Sequence, residues 1–326
     1  MGNSHRFRIT TKITDGMNIY TLKDEQSGDS LVLIPEAGFN IVRYRSGGVD
    51  VIKQAPQLSD YVSRSSEFGN AVLCPPNYMK AGTFRFDEKV YQFPLNHDGD
   101  HLHGELRNQV WEVIDSYEGE ESASVTTRLR LENIPGIYSY YPHRLEFELS
   151  YHIHRGELRY TGIVRNKGAE AAPFGLGFHP YFAYETGERV TVQFNAEKEY
   201  PLEEEPYVQG SPAQTSCCEQ LSQGTLVEDI SLPPPGFRLF GLRDRCLQAV
   251  IGRPDAGIAI HYKTDQTFPY AALFKPAWMN AVSIEPYSCI ADAFNSSLPE
   301  AERGALSLSP AADLQFRSLL RVRTTG

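Results

Sequence analysis

Sulfur and tryptophan are scarce in this chain. Its 326 residues include five cysteines, four methionines and two tryptophans. Cys74, Cys217, Cys218, Cys246 and Cys289 are odd in number and scattered, so they offer neither a disulfide framework nor a Cys-x-x-Cys metal spacing. Adjacent Cys217 and Cys218 could pair with each other only through strained geometry. Reduced thiols in a cytoplasmic protein are the expectation. No apolar run reaches the roughly 18 residues that a membrane helix needs. Met1–Thr11 lacks the apolar core of a secretory signal, and Arg6 stands where a myristoylation motif requires Ser or Thr. Positive charge is also in deficit. With 31 Lys+Arg against 41 Asp+Glu, the net charge is −10. That balance argues against nucleic acid and against anionic membrane surfaces as partners, because both need a concentrated basic face.

Several common motifs are missing too. Gly175-Leu176-Gly177 begins like a dinucleotide fingerprint, but Pro180 occupies the third glycine position. There is no P-loop, no HExxH and no repeat with a period of 20–50 residues. What the chain does have is period-two alternation, the mark of half-buried strands. Leu145, Phe147, Leu149, Tyr151 and Ile153 alternate with Glu146, Glu148, Ser150, His152 and His154. Val125–Leu131, Val190–Phe194 and Ile258–Tyr262 repeat the pattern. Turn clusters such as Asp24–Asp29 and Asn166-Lys167-Gly168 separate the runs. Short strands with frequent turns predict an all-β sandwich or barrel. The irregular stretch Glu203–Gly236, with its Pro233-Pro234-Pro235 run, reads as an excursion within one domain, because strand patterning resumes directly after it. The whole chain, 1–326, is thus expected to be a single domain.

Candidate chemistry sits in three places. His97, Asp98, Asp100, His101 and His103 crowd one loop. Such residues can hold a transition metal, but their spacing fits no standard ligand pattern, and a polar loop with one functional histidine is the simpler reading. His152 and His154 fall on the polar face of their strand and are expected to be exposed. His179 lies in the glycine-punctuated aromatic segment Pro173–Phe182, where Phe178, Tyr181 and Phe182 could wall a sugar ring. Glu285 lies in the apolar run Val282–Tyr287, where burial would raise its pKa toward the range useful for a general base.

These segments, in this order, resemble the aldose 1-epimerase (galactose mutarotase-like) family. The resemblance rests on Asn70–Phe84 with Pro75-Pro76-Asn77-Tyr78, on Leu102-His103-Gly104 followed by Trp111, on Tyr141–Leu145 leading to Gly177–Phe182, and on Ile284-Glu285-Pro286 continuing to Asp292–Asn295. It covers roughly residues 10–322. It implies an all-β fold, a mostly antiparallel β-supersandwich, and cofactor-free, metal-free interconversion of sugar anomers. By the same resemblance Glu285 is the general base, His179 the general acid, and His103 an assistant at the substrate. Asn77, Tyr181 and Arg107 are expected to contact the sugar. A monosaccharide is the implied partner.

Two positions depart from the family pattern. Tyr78 replaces a common Arg, and Pro233–Phe237 lacks an Asp that binds sugar hydroxyls. The departures point away from galactose or glucose as preferred substrate more than away from the chemistry. Arg107 also suits a phosphate, which raises a hexose-6-phosphate mutarotase as the alternative. A non-catalytic sugar-binding protein on the same fold is the third reading.

Overall fold

A computed structural model describes residues 5–202 and 204–325. Met1-Gly2 and Glu203, which entered the sequence reading, lie outside the described residues. The alternating runs fold as expected. Leu145–His154 is a strand, paired antiparallel with Ala123–Arg130 on one edge and Glu157–Asn166 on the other. These belong to a nine-stranded sheet that continues through Asp313–Thr324, Ile258–Thr264, Gln248–Arg253 and Thr191–Phe194. An eleven-stranded sheet faces it. That sheet runs from the hairpin Phe7–Thr14/Met17–Asp24 through Gly177–Ala183, Ala281–Tyr287, Tyr270–Phe274 and Phe237–Leu242 to Ala196–Tyr200. Every strand pairing within both sheets is antiparallel.

The main apolar cluster draws on both sheets, with Phe178, Phe182, Val282 and Ile284 from one and Tyr151, Tyr160, Tyr262 and Phe316 from the other. His152 and His154 are half-buried rather than exposed. His154 Nε2 sits 3.7 Å from Glu121 Oε2. The stretch after residue 203 is an excursion, as expected. It holds the helix Ser216–Gln223, capped by the Thr215 hydroxyl. The strands that bracket it, Ala196–Tyr200 and Phe237–Leu242, are paired with each other. All five cysteines are free. Among the described residues, no helix is long and apolar enough to cross a membrane.

Two strands build the site. Gly177–Ala183 and Ala281–Tyr287 are buried at all seven positions of each. Side chains alternate across a sheet, so Phe178 and Phe182, like Val282 and Ile284, enter the core. This corrects the expectation that Phe178 and Phe182 wall a sugar site. Phe178 instead packs on Tyr160, Phe268 and Phe316. The odd-numbered residues His179, Tyr181, Glu285 and Tyr287 line a pocket on the opposite face.

One buried ion pair helps to join the sheets. Arg253, in the nine-stranded sheet, donates to both carboxylate oxygens of Glu188 at 2.8 and 2.7 Å. It also donates at 2.9 Å to the carbonyl of Asp50, in the strand Val49–Ile52 of the other sheet. The pair is nearly closed to solvent, with 4% and 7% side-chain exposure. Removing one partner leaves a buried, uncompensated charge. Glu188→Ala is expected to cost about 3–5 kcal/mol. The double substitution Glu188→Leu with Arg253→Met should recover much of that loss, as urea unfolding midpoints would show.

Candidate active site

The site begins with strand register. Gly177 lies opposite Tyr287, and Tyr181 opposite Ser283. The same register places His179 opposite Glu285, midway between those two pairs. Directly opposed residues on one face of an antiparallel pair are close neighbours. The two side chains accordingly meet, with His179 Nε2 3.4 Å from Glu285 Oε2. Both are buried, at 4% and 2% exposure. Between the register pairs Ser283 does the bridging. Its hydroxyl donates to the Pro180 carbonyl at 2.9 Å and lies 3.0 Å from His179 Nδ1.

His103 arrives from a different segment. Its ring centroid is 5.3 Å from that of His179. Its backbone N–H donates to the Asn77 carbonyl at 3.0 Å. In return, the Asn77 N–H donates to His103 Nδ1 at 3.2 Å. Asn77 and His103 both hold positive φ, at 62° and 64°. Gly104 follows with φ +63°, and a Cβ there would stand 1.8 Å from the Cys74 carbonyl oxygen. Only glycine allows that approach. The crowded loop therefore divides. His103 reaches the pocket. His101 is buried, with Nδ1 on the Pro94 carbonyl at 2.7 Å, and His97 lies at the pocket rim.

The pocket has a volume of about 460 Å³, which falls in the range of small-molecule sites. All six residues expected at the site from sequence line it: Glu285, His179, His103, Asn77, Tyr181 and Arg107. Tyr181 stacks on His179 at 4.5 Å and 16°. Its hydroxyl donates to the Ser66 carbonyl at 2.9 Å. Tyr78 and the end of the Pro233–Phe237 stretch that lacks the family's Asp meet here. Tyr78 and Phe237 stack at 6.3 Å and 13°, and both line the pocket. Sequence reading missed Ser283, Tyr287, Ser65, Ser66 and Trp278. The spacing of two residues in Ser283/Glu285/Tyr287 was the available signal, because it puts all three on one strand face.

Hydrogen bonds assign the protons. Ser283 gives its hydrogen to Pro180, so it accepts from His179 Nδ1. Tyr181 gives its hydrogen to Ser66, so at 3.2 Å it accepts from His179 Nε2. This arrangement suits an imidazolium. Tyr287 donates to Glu285 Oε2, which suits a carboxylate. Burial pulls the other way. It pushes the Glu285 carboxyl up to about 8 and holds His179 down to about 3. The two influences disagree on where the proton rests, but both leave one proton for the pair. His103 is also held well below its usual value, first by burial and then by the nearby His179 and Arg107.

One ligating atom from each of His103, His179 and Glu285 lies within 4.8 Å of the others, close enough to hold a metal ion. The hydrogen bonds fit that role poorly. Nδ1 of His103 already accepts from a backbone N–H, so in the neutral ring Nε2 carries the proton and is a donor rather than a ligand.

Fold and site together define an antiparallel β-sandwich protein with an acid–base pocket. The chain belongs to the aldose 1-epimerase family, whose profile matches residues 19–321. It is 29% identical to the uncharacterized protein YphB of Escherichia coli over 203 residues, 61% of this chain and 62% of YphB. It is 26% identical to human galactose mutarotase over 136 residues, 41% of this chain and 37% of that protein. The fold matches a galactose mutarotase-like protein from Clostridium acetobutylicum with a TM-score of 0.88 at 21% identity, covering 98% and 99% of the two chains. It matches galactose 1-epimerase from Lactobacillus acidophilus with a TM-score of 0.80 at 17% identity, covering 99% and 100%.

The raised carboxyl has a signed consequence for stability. Between pH 4.5 and about 8 the folded chain keeps a proton on Glu285 that the unfolded chain releases. The contribution of Glu285 to stability therefore falls as pH rises through that window, while His179, lowered from 6.5 to about 3, works in the opposite sense over its acid part. Glu285→Gln removes this dependence. The variant should gain stability over the parent at pH 8 relative to pH 5, as urea midpoints at the two pH values would show. An equal difference at both values would contradict the assignment.

Proposed function

We propose that this chain is an aldose 1-epimerase that interconverts the α and β anomers of a free aldose. The observation that carries this reading is a buried carboxyl and a buried imidazole, 3.4 Å apart, that both line a pocket of about 460 Å³. Mutarotation needs one base and one acid together. Glu285 takes the proton of the anomeric hydroxyl while His179 gives one to the ring oxygen. The C1–O5 bond breaks and an open-chain aldehyde forms. After rotation about C1–C2, His179 takes the proton back from the attacking hydroxyl and Glu285 returns its own to the carbonyl oxygen. The starting charges, carboxylate and imidazolium, are those the hydrogen bonds suit. The charges after opening, carboxylic acid and neutral imidazole, are those burial favours. Neither half of the cycle is opposed by both influences.

His103, with Nε2 as donor, steadies a sugar oxygen beside the pair. Tyr181, Tyr78 and Phe237 supply aromatic walls, and Asn77 a polar edge. Proton transfer between residues and substrate completes the cycle, and no step draws on a metal or cofactor. The alternative reading, a hexose-6-phosphate mutarotase, depends on Arg107 facing a phosphate. Its four described hydrogen bonds go to Gly104, Leu102, Ser65 and Ser66 instead. A neutral aldose is the better fit.

Anomer exchange followed by NMR across neutral aldoses and sugar phosphates tests the reading. At least one neutral aldose should equilibrate faster than in buffer. Glu285→Gln should slow that exchange by about 10²–10⁴-fold, and near-parental exchange would remove Glu285 as the base. Binding of a sugar without faster exchange would indicate a binding protein. Activity should also fall as pH rises through about 8, where the shared proton is lost, and an activity still climbing at pH 9 would contradict the shared-proton pair.

A further inference from the structure

We infer that Arg107 is the positioning residue for His103, a guanidinium clamp on the carbonyls of its two chain neighbours, rather than a receptor for an anionic substrate. The inference rests on the mutarotase reading for its kinetic test, but its geometry stands independently.

Arg107 Nε donates to the Gly104 carbonyl at 3.1 Å, and Nη2 donates to the Leu102 carbonyl at 3.0 Å. These are the carbonyls of the residues immediately after and immediately before His103. A third arm, Nη1, donates to Ser65 Oγ at 2.6 Å. Ser65 is buried and gives its own hydrogen to Asn108, so its oxygen is free to accept. A longer contact of 3.5 Å reaches Ser66 Oγ. Every described partner is a neutral oxygen. One planar fork thus ties both flanks of His103 to the Ser65 loop.

The clamped segment needs holding. His103 and Gly104 are consecutive residues at positive φ, a region that non-glycine residues seldom occupy. The turn aims the His103 ring at His179 and leaves its Nδ1 on the Asn77 N–H. If the two carbonyls were free to rotate, that N–H bond and the ring orientation would go with them. The clamp itself is anchored at its root. Gly38 lies so close that an added Cβ would be 2.4 Å from the Arg107 carbonyl oxygen. Lysine could supply the charge but not the fork, since its ammonium is a single point that cannot span three acceptors in fixed geometry.

The experiment separates charge from geometry. Arg107→Lys should lower kcat for neutral aldoses by about 10–10²-fold, the scale expected for an ångström-level displacement of a working group. KM should change far less. Arg107→Ala should act in the same direction, equally on neutral and phosphorylated sugars. Ser65→Ala removes one anchor and should give a smaller loss of the same kind. Nitrogen-15 NMR of the imidazoles supplies a readout independent of turnover. Parent His103 should show a single neutral tautomer with the proton on Nε2, and Arg107→Lys should show both tautomers. Parental kcat together with an unchanged tautomer in Arg107→Lys would overturn the clamp. A loss confined to phosphorylated sugars would overturn it in favour of an anion receptor. If the parent exchanges no sugar, the mutarotase reading fails by itself, and the tautomer comparison still decides the role of Arg107.

Discussion

The register between Gly177–Ala183 and Ala281–Tyr287 is the constraint on which the site depends. A side-chain period of two leaves no intermediate setting. Shifting either strand by one residue would send His179 or Glu285 into the core and bring Phe178 or Ile284 into the pocket. Burial on both faces makes that slip costly, because Phe178, Phe182, Val282 and Ile284 all sit in the main apolar cluster. The hydrophobic core therefore fixes the distance between a carboxyl and an imidazole that are 106 residues apart in the chain.

The same burial sets the electrostatics. Taken from water, a carboxyl and an imidazole each favour the neutral form. Hydrogen bonds from Tyr287 to Glu285, and from His179 to Ser283 and Tyr181, favour the charged forms. A pocket with only the first influence would trap its proton on the carboxyl, and one with only the second would trap it on the imidazole. Here burial is the larger influence, raising Glu285 to about 8 and lowering His179 to about 3, so the proton rests on the carboxyl.

Much of the architecture was legible from local pattern. The alternation at Leu145–Ile153 identified a strand because each residue there meets one of two environments. The excursion after residue 203 was legible from its proline run and from the strand pattern that resumes behind it. His103, His179 and Glu285 were legible only through ordered motifs that resemble the family, since each alone is an ordinary residue. The aromatic segment Pro173–Phe182 was half misread. Its composition suggested one continuous wall, whereas the pleat turns Tyr181 to the pocket and Phe178 and Phe182 to the core. Arg107 shows the same limit. A guanidinium near a histidine suggests an anion, and only the fold reveals that its donors face the backbone.

The excursion between Tyr200 and Phe237 leaves the sheet and returns to a neighbouring strand already bonded to the one it left. Its far end, Pro235-Gly236-Phe237, forms part of the pocket wall. Closing a longer loop between two fixed points is cheap, about 0.6 kcal/mol for each doubling. Length and composition there can drift while the paired strands, and the proton-sharing couple beyond them, stay in place. The architecture thus divides its labour: one stretch of the pocket wall hangs on a loop that is free to diversify, while His179 and Glu285 are held by the sheet.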